Sequence, residues 1–150
     1  MASRLINLAN AVAAAVNAAT LPLALTATVA WMPFSDRAAS ADLACWVIPS
    51  TEAPGSLSRG QLSHECEVFI ALQKPVADET EVDGLAATLE AIGDALAHRP
   101  LSWSGGAAHF ASMRIDPVLD LDHWNRLKQY TGVLRLTYRI VTAAGAGSGA

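Results

Sequence analysis

The sequence predicts a single α+β domain, in which a mostly antiparallel sheet of about five strands carries two helices on one face. Three observations predict it: helix-type apolar periodicity occurs twice, strand-type alternation recurs between and after the helices, and short links join adjacent strands. The predicted order is α-β-β-β-α-β-β within residues 1–141, and residues 142–150 have the Gly/Ala composition of a flexible tail. At 150 residues the chain fits one domain and can bury a substantial core.

The first helix is predicted over residues 3–19, with Ser3 as its N-cap. Leucine, alanine and valine recur there at helical spacing, and the Leu21-Pro22 step ends the pattern. The segment superficially resembles a secretory signal peptide, but asparagines limit its longest apolar run to six residues. A signal needs about 7 to 15 such residues, so we expect an amphipathic helix of the mature protein.

Three strands are predicted next, within residues 23–32, 43–49 and 63–74. The first and third alternate apolar and polar residues, which is the pattern of a strand with one buried face, and the second is nearly all apolar. The side chains expected on the buried face of the third strand are His64, Cys66, Val68, Ile70 and Leu72. Trp46 and Phe69 are expected to point to the other face, where exposed aromatic side chains would mark an interface.

The stretch IPSTEAPGSLSRGQLS, residues 48–63, separates two of these strands and is rich in Gly, Pro and Ser. It predicts turns and a long projecting loop, and long loops in compact domains are usually functional. A phosphate-binding loop is excluded because such loops lead into a helix N-terminus, whereas this stretch leads into a strand. We expect it to act by contact, with Glu52, Ser58 and Arg59 reaching a neighbouring subunit or the lumen of a ring.

The second half of the chain contains the clearest helix, an apolar stripe over residues 82–96. Thr80 and Asp83 approximate a capping box at its start, and Pro100 ends it. Strands are predicted over residues 107–115 and 131–141, with a helical turn at 120–127 between them. In the last strand the side chains expected to face inward are Leu134, Leu136, Tyr138 and Ile140.

The charge of the chain indicates what it contacts. With a net charge of −4 and two lysines, the chain lacks the basic footprint of a duplex-DNA binder. Acidic residues concentrate between positions 65 and 94, whereas arginines concentrate in the last third, where Arg135 and Arg139 are candidate interface residues. Opposite bias in two halves of one chain suits head-to-tail contacts between identical subunits.

Catalytic and metal motifs are not recognised in the sequence. His64 lies near two serines without a G-x-S-x-G elbow, and the acidic residues are spread over several elements. Cys45 and Cys66 lack zinc-site spacing, so we expect two buried thiols, with a disulfide as the alternative in an oxidising compartment. No catalytic, cofactor-binding or metal-binding residue is therefore predicted.

Five stretches in order give the chain a resemblance to the tail terminator, or tail completion, proteins of long-tailed bacteriophages and related gene-transfer particles. After an N-terminal helix these stretches are ADLACWVIPS, SLSRG, HECEVFIALQK, VDGLAATLEAIGDAL and YTGVLRLTYRI. The resemblance spans roughly residues 3–141. Each motif alone is loose, and the family has no short catalytic signature to transfer.

The resemblance implies a structural virion protein that is not an enzyme and needs no cofactor. Such proteins form a hexameric ring on the last ring of tail-tube subunits, stop tube growth and join the tail to the head connector. The implied partners are further copies of the chain, the tube protein and the connector protein, with DNA passing through the lumen without specific binding. The implied location is the tail or neck of a virion assembled in the host cytoplasm.

Three alternatives stay open at this point. The first is a head-completion or neck connector protein, which has similar size and composition. The second is a small cytosolic enzyme that uses one of the four histidines, His64, His98, His109 or His123, as a general base. The third is a secreted domain with a Cys45–Cys66 disulfide.

Overall fold

The structure, a computed structural model, is α+β and describes residues 3–31, 43–76 and 78–143. Its sheet has six strands in the order β1-β2-β3-β6-β5-β4, where β1 is parallel to β2 and the other neighbours are antiparallel. The elements are α1 Arg4–Ala18, β1 Ala27–Val29, β2 Ala44–Ser58, β3 Gln61–Pro75, α2 Val82–Leu96, β4 Leu101–Trp103, β5 Gly106–Ile115, α3 Leu121–Leu127 and β6 Gln129–Ala143. The class is as predicted, with one strand and one helix more.

Helix α1 begins as the sequence predicts. The Ser3 Oγ accepts a hydrogen bond of 3.1 Å from the backbone N–H of Ile6, which satisfies one of the free donors of the first turn. After the helix, the side chain of Asn17 both accepts from and donates to the backbone of Ala27, at 2.7 and 3.2 Å. This pair of hydrogen bonds fixes the start of β1. The strand is only three residues long, whereas the sequence predicted ten.

The predicted long loop is wrong, because residues 50–58 continue β2. Strands β2 and β3 are each 15 residues long and pair along their whole length, from Ala44 opposite Gln73 to Ser58 opposite Gln61. Only Arg59 and Gly60 remain as the turn. Beyond the short pairing with β1, β2 is an edge strand within the described part of the chain, and an edge strand tolerates the Pro and Gly residues that suggested a loop.

A β-bulge between Pro49 and Thr51 reverses the side-chain alternation of β2. Before the bulge, Cys45 and Val47 face the helices; after it, Glu52 faces them, directly opposite Cys66. Strict alternation over residues 44–58 would have placed Glu52 on the other face. The bulge therefore turns a carboxylate toward the N-terminus of α1.

The second half differs from the prediction at its boundaries. A 3-10 turn at Glu79–Glu81 precedes α2, and the cap is Asp78, whose carboxylate accepts from the backbone N–H of Thr80 at 2.9 Å, instead of a Thr80/Asp83 box. The three-residue strand β4, which the sequence did not predict, forms a hairpin with β5. Strand β6 ends at Ala143, and residues 144–150 of the predicted tail lie outside the described residues.

The main core lies between the sheet and the helices α1 and α2, on what we call the inner face of the sheet. The inward-facing residues predicted for β3 and β6 are all buried there. On the opposite, outer face, a smaller cluster contains strand residues only: Trp46, Ile48, Phe69, Ala71 and Val133. The prediction that Trp46 and Phe69 point away from the main core is confirmed, and both remain partly exposed.

Candidate assembly interface

The distal halves of three strands form a three-stranded arm, made of residues 51–58, 61–67 and 137–143. Its three strands pair as far as Gln61, which lies opposite Ser58 on one side and Ala143 on the other, with one register shift in β2 between Ser56 and Ser58. Ser58 and Arg59 lie exposed at its tip, beside the turn. Two of the residues predicted for contact are thus held at a protruding end by regular β-structure.

Glu52 lies six positions back from the tip, in a polar cluster on the inner face. Its Oε2 accepts a hydrogen bond of 3.0 Å from the Arg4 guanidinium and lies 3.4 Å from Nδ1 of His64. The Nε2 of His64 is 3.0 Å from the Thr142 hydroxyl. His64 is 4% exposed, whereas the side chain of Glu52 is 26% exposed. The cluster is therefore buried on its His64 side and reached by solvent on its Glu52 side. It connects α1 to all three strands of the arm.

Both cysteines are free, buried thiols, Cys66 beside Glu52 and Cys45 toward the other end of β2. Burial raises the pKa of Cys45 to about 12 and that of Cys66 to about 11; for Cys66 the charge of Glu52 raises it further and Arg4 opposes the rise. In the sheet register Cys45 lies opposite Leu72 and Cys66 opposite Glu52, so the thiols belong to separate cross-strand pairs. Neutral, shielded thiols behave as small apolar side chains.

Arg135 lies on the outer face, where two contacts fix its guanidinium. Its Nε donates to the backbone oxygen of Asp116 at 2.9 Å, and its Cζ lies 4.4 Å from the centre of the Phe69 ring. The aromatic face attracts the cation, and the hydrogen bond sets the plane of the guanidinium. Arg135 therefore holds a fixed position in the middle of the outer face.

Arg139 lies on the same face, four residues nearer the tip. It is exposed, and its terminal nitrogen is 3.6 Å from Oε1 of Glu65 on β3. On the other side of β6, His109 lies opposite Arg139, and Arg114 lies opposite Arg135. The structure thus brings Arg135 and Arg139 together with Arg114, while Glu52 faces the opposite side of the sheet.

The four histidines are distributed over separate parts of the described chain. His64 and His123 are buried, and their ring nitrogens contact the hydroxyls of Thr142 and Thr131, the latter at 2.7 Å. His109 is exposed, as is His98, which packs edge-on against Phe110 with ring centroids 5.3 Å apart. An open cavity of about 270 Å³ between α1 and β4 has a different lining: Ala11, Ala14, Ala15, Ala18, Arg99, Pro100, Leu101 and Ser102.

One group has the spacing of metal ligands: ligand atoms of Asp120, Asp122 and His123 lie within 4.8 Å of one another. Local bonds already engage it. Asp120 caps α3 by accepting from the backbone N–H of His123, and Asp122 pairs with Arg126 at 3.1 Å. We therefore assign it a role in capping the helix. No helix among the described residues is long and apolar enough to cross a membrane.

Among solved structures, the fold matches almost end to end that of a chain from the virion of a native gene transfer agent particle. The TM-score is 0.53 at 18% sequence identity, and the match covers 95% of this chain and 99% of that chain. A second solved chain matches with a TM-score of 0.52 and 20% identity over 93% of this chain and 96% of that chain. No family model and no curated protein matches the sequence. At these identities the likeness shows a shared fold.

Sequence reasoning missed Arg4 as a partner of Glu52. The two residues are 48 positions apart, and only the bulge at Ser50 turns Glu52 toward α1. The concentration of acidic residues between positions 65 and 94 and of arginines in the last third was visible in the sequence. Their placement on the faces of the sheet depends on the register and was not.

Proposed function

We propose that this protein is a structural subunit of a phage-like particle, a tail terminator that forms a ring on the end of the tail tube. There it stops tube growth and joins the tail to the head connector. The observation that carries the proposal is the fold, which is shared over nearly the whole length with a chain of a gene transfer agent virion. The ordered sequence resemblance to tail terminators supports it independently.

The edges of the sheet suit assembly into a ring. Within the described chain, residues 50–58 of β2 have no partner strand on the side away from β3. At the opposite end of the sheet, β4 pairs only with the first three residues of β5, so residues 109–115 have a second free edge. A subunit with different adhesive surfaces at its two ends forms heterologous contacts, and these close into a ring when the rotation permits.

The arm is the proposed contact with tube or connector. Ser58 and Arg59 are exposed at its tip, and the Glu52 cluster with Arg4 and His64 fixes its base to α1. Arg135 and Arg139, on the outer face, contribute to contacts between neighbouring copies. The DNA would pass through the lumen of the ring, and the protein itself would act without a cofactor and without catalysis.

Electron microscopy of purified protein mixed with isolated tail tubes tests the proposal. We expect a ring at one end of each tube and no further growth when tube subunits are added. Binding to the head portal in place of the tube end would identify a head-completion protein instead. Failure to bind either structure would overturn the proposal.

Catalysis by a histidine is tested separately, by alanine substitution at each of the four histidines. A structural role predicts normal yields of infectious particles for the His98 and His109 variants, because both side chains are exposed. Lower yields for the His64 and His123 variants should follow their loss of stability. A stable histidine variant that assembles normally and yields inactive particles would favour an enzyme.

A further inference from the structure

Three arginines form a like-charged patch on the outer face, and we call them the outer-face arginines: Arg114, Arg135 and Arg139. Arg114 of β5 lies directly opposite Arg135 of β6, and Arg139 is four residues further along the same strand. Like charges directly opposite on neighbouring strands repel and destabilise an isolated sheet. Arg114 forms no salt bridge with a described residue. Glu65 partly compensates Arg139 at 3.6 Å, whereas the isolated subunit leaves the repulsion between Arg114 and Arg135 uncompensated.

Arg135 is the best oriented of the three. Its Nε bond to the Asp116 carbonyl and its position over the Phe69 ring use one edge and one face of the guanidinium. Its terminal nitrogens have no hydrogen-bond partner among the described residues. A guanidinium held in this way presents a preformed fork, which matches a carboxylate or a phosphate.

The complementary surface lies on α2. Three exposed carboxylates follow one another along the solvent side of this helix, and we call them the acidic ridge: Asp83, Glu90 and Asp94. No ridge carboxylate forms a salt bridge with a described residue, and α2 contains no basic residue. Glu90 and Asp94 are four residues apart, where like charges repel, and Asp94 lies in the last turn, where the helix dipole disfavours an anion.

The two surfaces cannot meet within one subunit. Helix α2 buries Leu85, Leu89 and Ile92 against the inner face of the sheet, so its acidic ridge points away from the sheet and from the outer face. Their lengths match: Arg135 and Arg139 are about 14 Å apart along the strand, and the ridge is about 16 Å long. The ridge carboxylates repel one another, Arg114 and Arg135 do the same, and the two surfaces carry opposite charge.

We propose that the outer-face arginines of one copy bind the acidic ridge of the next copy, head to tail around the ring. The proposal rests on the proposed ring and names the surfaces that join its subunits. Trp46 and Phe69 lie beside the arginines on the outer face, and aromatic residues with arginine are the composition of interface centres. The net charge of −4 favours a second copy over a nucleic-acid backbone as the source of the anion.

Charge reversal in four proteins tests this contact. The arginine variant is Arg114→Glu with Arg139→Glu, which spares Arg135 because its contacts belong to the fold. The ridge variant is Glu90→Lys with Asp94→Lys, the third protein combines all four substitutions, and Arg126→Glu is the control at an exposed site on α3. Each is measured by sedimentation at low and high salt, and circular dichroism verifies that each remains folded.

We expect both two-residue variants to self-associate at least about tenfold more weakly than the wild type at low salt, and the control to associate normally. The four-substitution protein should regain assembly, and an equimolar mixture of the two variants should assemble as well, because each supplies the surface that the other has reversed. Salt should weaken every one of these assemblies.

Three outcomes would overturn the contact: a wild type that stays monomeric at low salt, normal assembly of either variant, or no recovery in both the four-substitution protein and the mixture. Normal assembly with loss of duplex-DNA binding in the arginine variant would assign the arginines to DNA instead. Capping of tubes is measured separately. If the variants still cap tubes but assemble normally, the contact is wrong and the proposed function stands. If the wild type assembles as expected but does not cap tubes, the contact stands and the proposed function is wrong.

Discussion

Glu52 is the residue on which the base of the arm depends. Its carboxylate bridges Arg4 of α1 and His64 of β3, and His64 in turn contacts Thr142 of β6. Because the Glu52 carboxylate is mostly covered, its attraction to Arg4 is less screened by water than that of a surface pair. A single side chain thus connects a helix to two strands.

Glu52→Gln should lower the free energy of unfolding by about 1 kcal/mol, since the neutral amide no longer attracts the Arg4 guanidinium. Urea unfolding measures the change. The matched control is Glu65→Gln, which removes the looser, exposed 3.6 Å pair with Arg139 and should change the free energy by less than about 0.5 kcal/mol. Equal effects of the two substitutions would show that the Glu52 cluster adds no more stability than an exposed ion pair.

Buried ionisable groups make stability fall at high pH. Burial raises the pKa of Cys45 from 9.0 to about 12, of Cys66 from 9.0 to about 11, and of Tyr130 and Tyr138 from 10.0 to about 12. Between the unfolded and folded values the unfolded chain loses these protons first, so the free energy of unfolding decreases as pH rises. Below about pH 9 these groups keep their protons in both the folded and the unfolded chain, so they add no pH dependence to the free energy of unfolding.

We therefore expect the urea midpoint to stay level from pH 7 to about 9 and to fall from there toward about pH 12. The Cys45→Ala protein should show a shallower fall than the wild type, because it lacks the thiol that titrates only after unfolding. A midpoint unchanged up to pH 11, or an equal fall in both proteins, would contradict the assignment to Cys45.

Gly132 is required by a close approach in the core. A Cβ added there would lie 2.5 Å from the Tyr130 hydroxyl oxygen and 2.7 Å from the carbonyl oxygen of Val118, and the hydroxyl donates its hydrogen bond to that carbonyl. Gly132→Ala should cost about 1–3 kcal/mol in urea unfolding, as overpacked core positions do. Gly60→Ala, where no atom lies within 4 Å, should stay within about 0.5 kcal/mol. A neutral Gly132→Ala would show that Tyr130 moves aside freely.

At the scale of elements, the base of the arm contributes to the stability of the domain, whereas its tip is the proposed contact surface. Residues 58–61 are exposed and Leu62 is half-buried, whereas Cys66, Tyr138 and Ile140 near the base of the arm are buried. The base is therefore a structural part of the domain. The tip is a regular β-structure whose loss removes little buried surface.

Replacement of residues 56–62 by an Asn-Gly turn should leave cooperative unfolding and most of the stability intact. It joins Gly55 to Ser63, which are opposite each other, and it retains Glu52 and His64. Binding to tube ends should be lost, as electron microscopy would show. Arg59→Ala, which removes one charge and keeps the shape, is the companion variant, and binding that survives the shortened arm would make the tip a connector only.

Elements with strong periodicity were predictable from the sequence, and elements set by their neighbours were not. The stripe of α2 and the alternation of β3 and β6 gave their buried faces correctly, because one face of each contacts the core. The length of β2 was missed because its Pro and Gly residues suit an edge strand as well as a loop. The three-residue β4 and β1 are too short to show a period.

At the scale of the whole molecule, the sequence indicated an acidic and a basic part of the chain. The fold places the outer-face arginines and the acidic ridge of α2 on opposite sides of the sheet, with Glu65 beside Arg139 on the outer face. The orientation of Arg135 over Phe69 depends on how β3 and β6 pair, which brings together two residues 66 positions apart in the sequence. The alternation within each strand does not predict that pairing. Charge bias was therefore predictable, whereas the fork of Arg135 and the inward direction of Glu52 were not.

The register of the arm also limits how its length can change over generations. Its three strands are paired residue by residue from Thr51 to Ser56 of β2, between the two register shifts of that strand, and adjacent residues there face opposite sides. Without a new bulge, insertion of one residue into each strand at the base of the arm would turn Glu52 and His64 to the outer face, whereas two residues in each preserve the pattern and extend the reach by about 7 Å. Homologues with longer or shorter arms should therefore differ by even numbers of residues per strand, so the spacing between a ring and its neighbour is adjustable only in discrete steps.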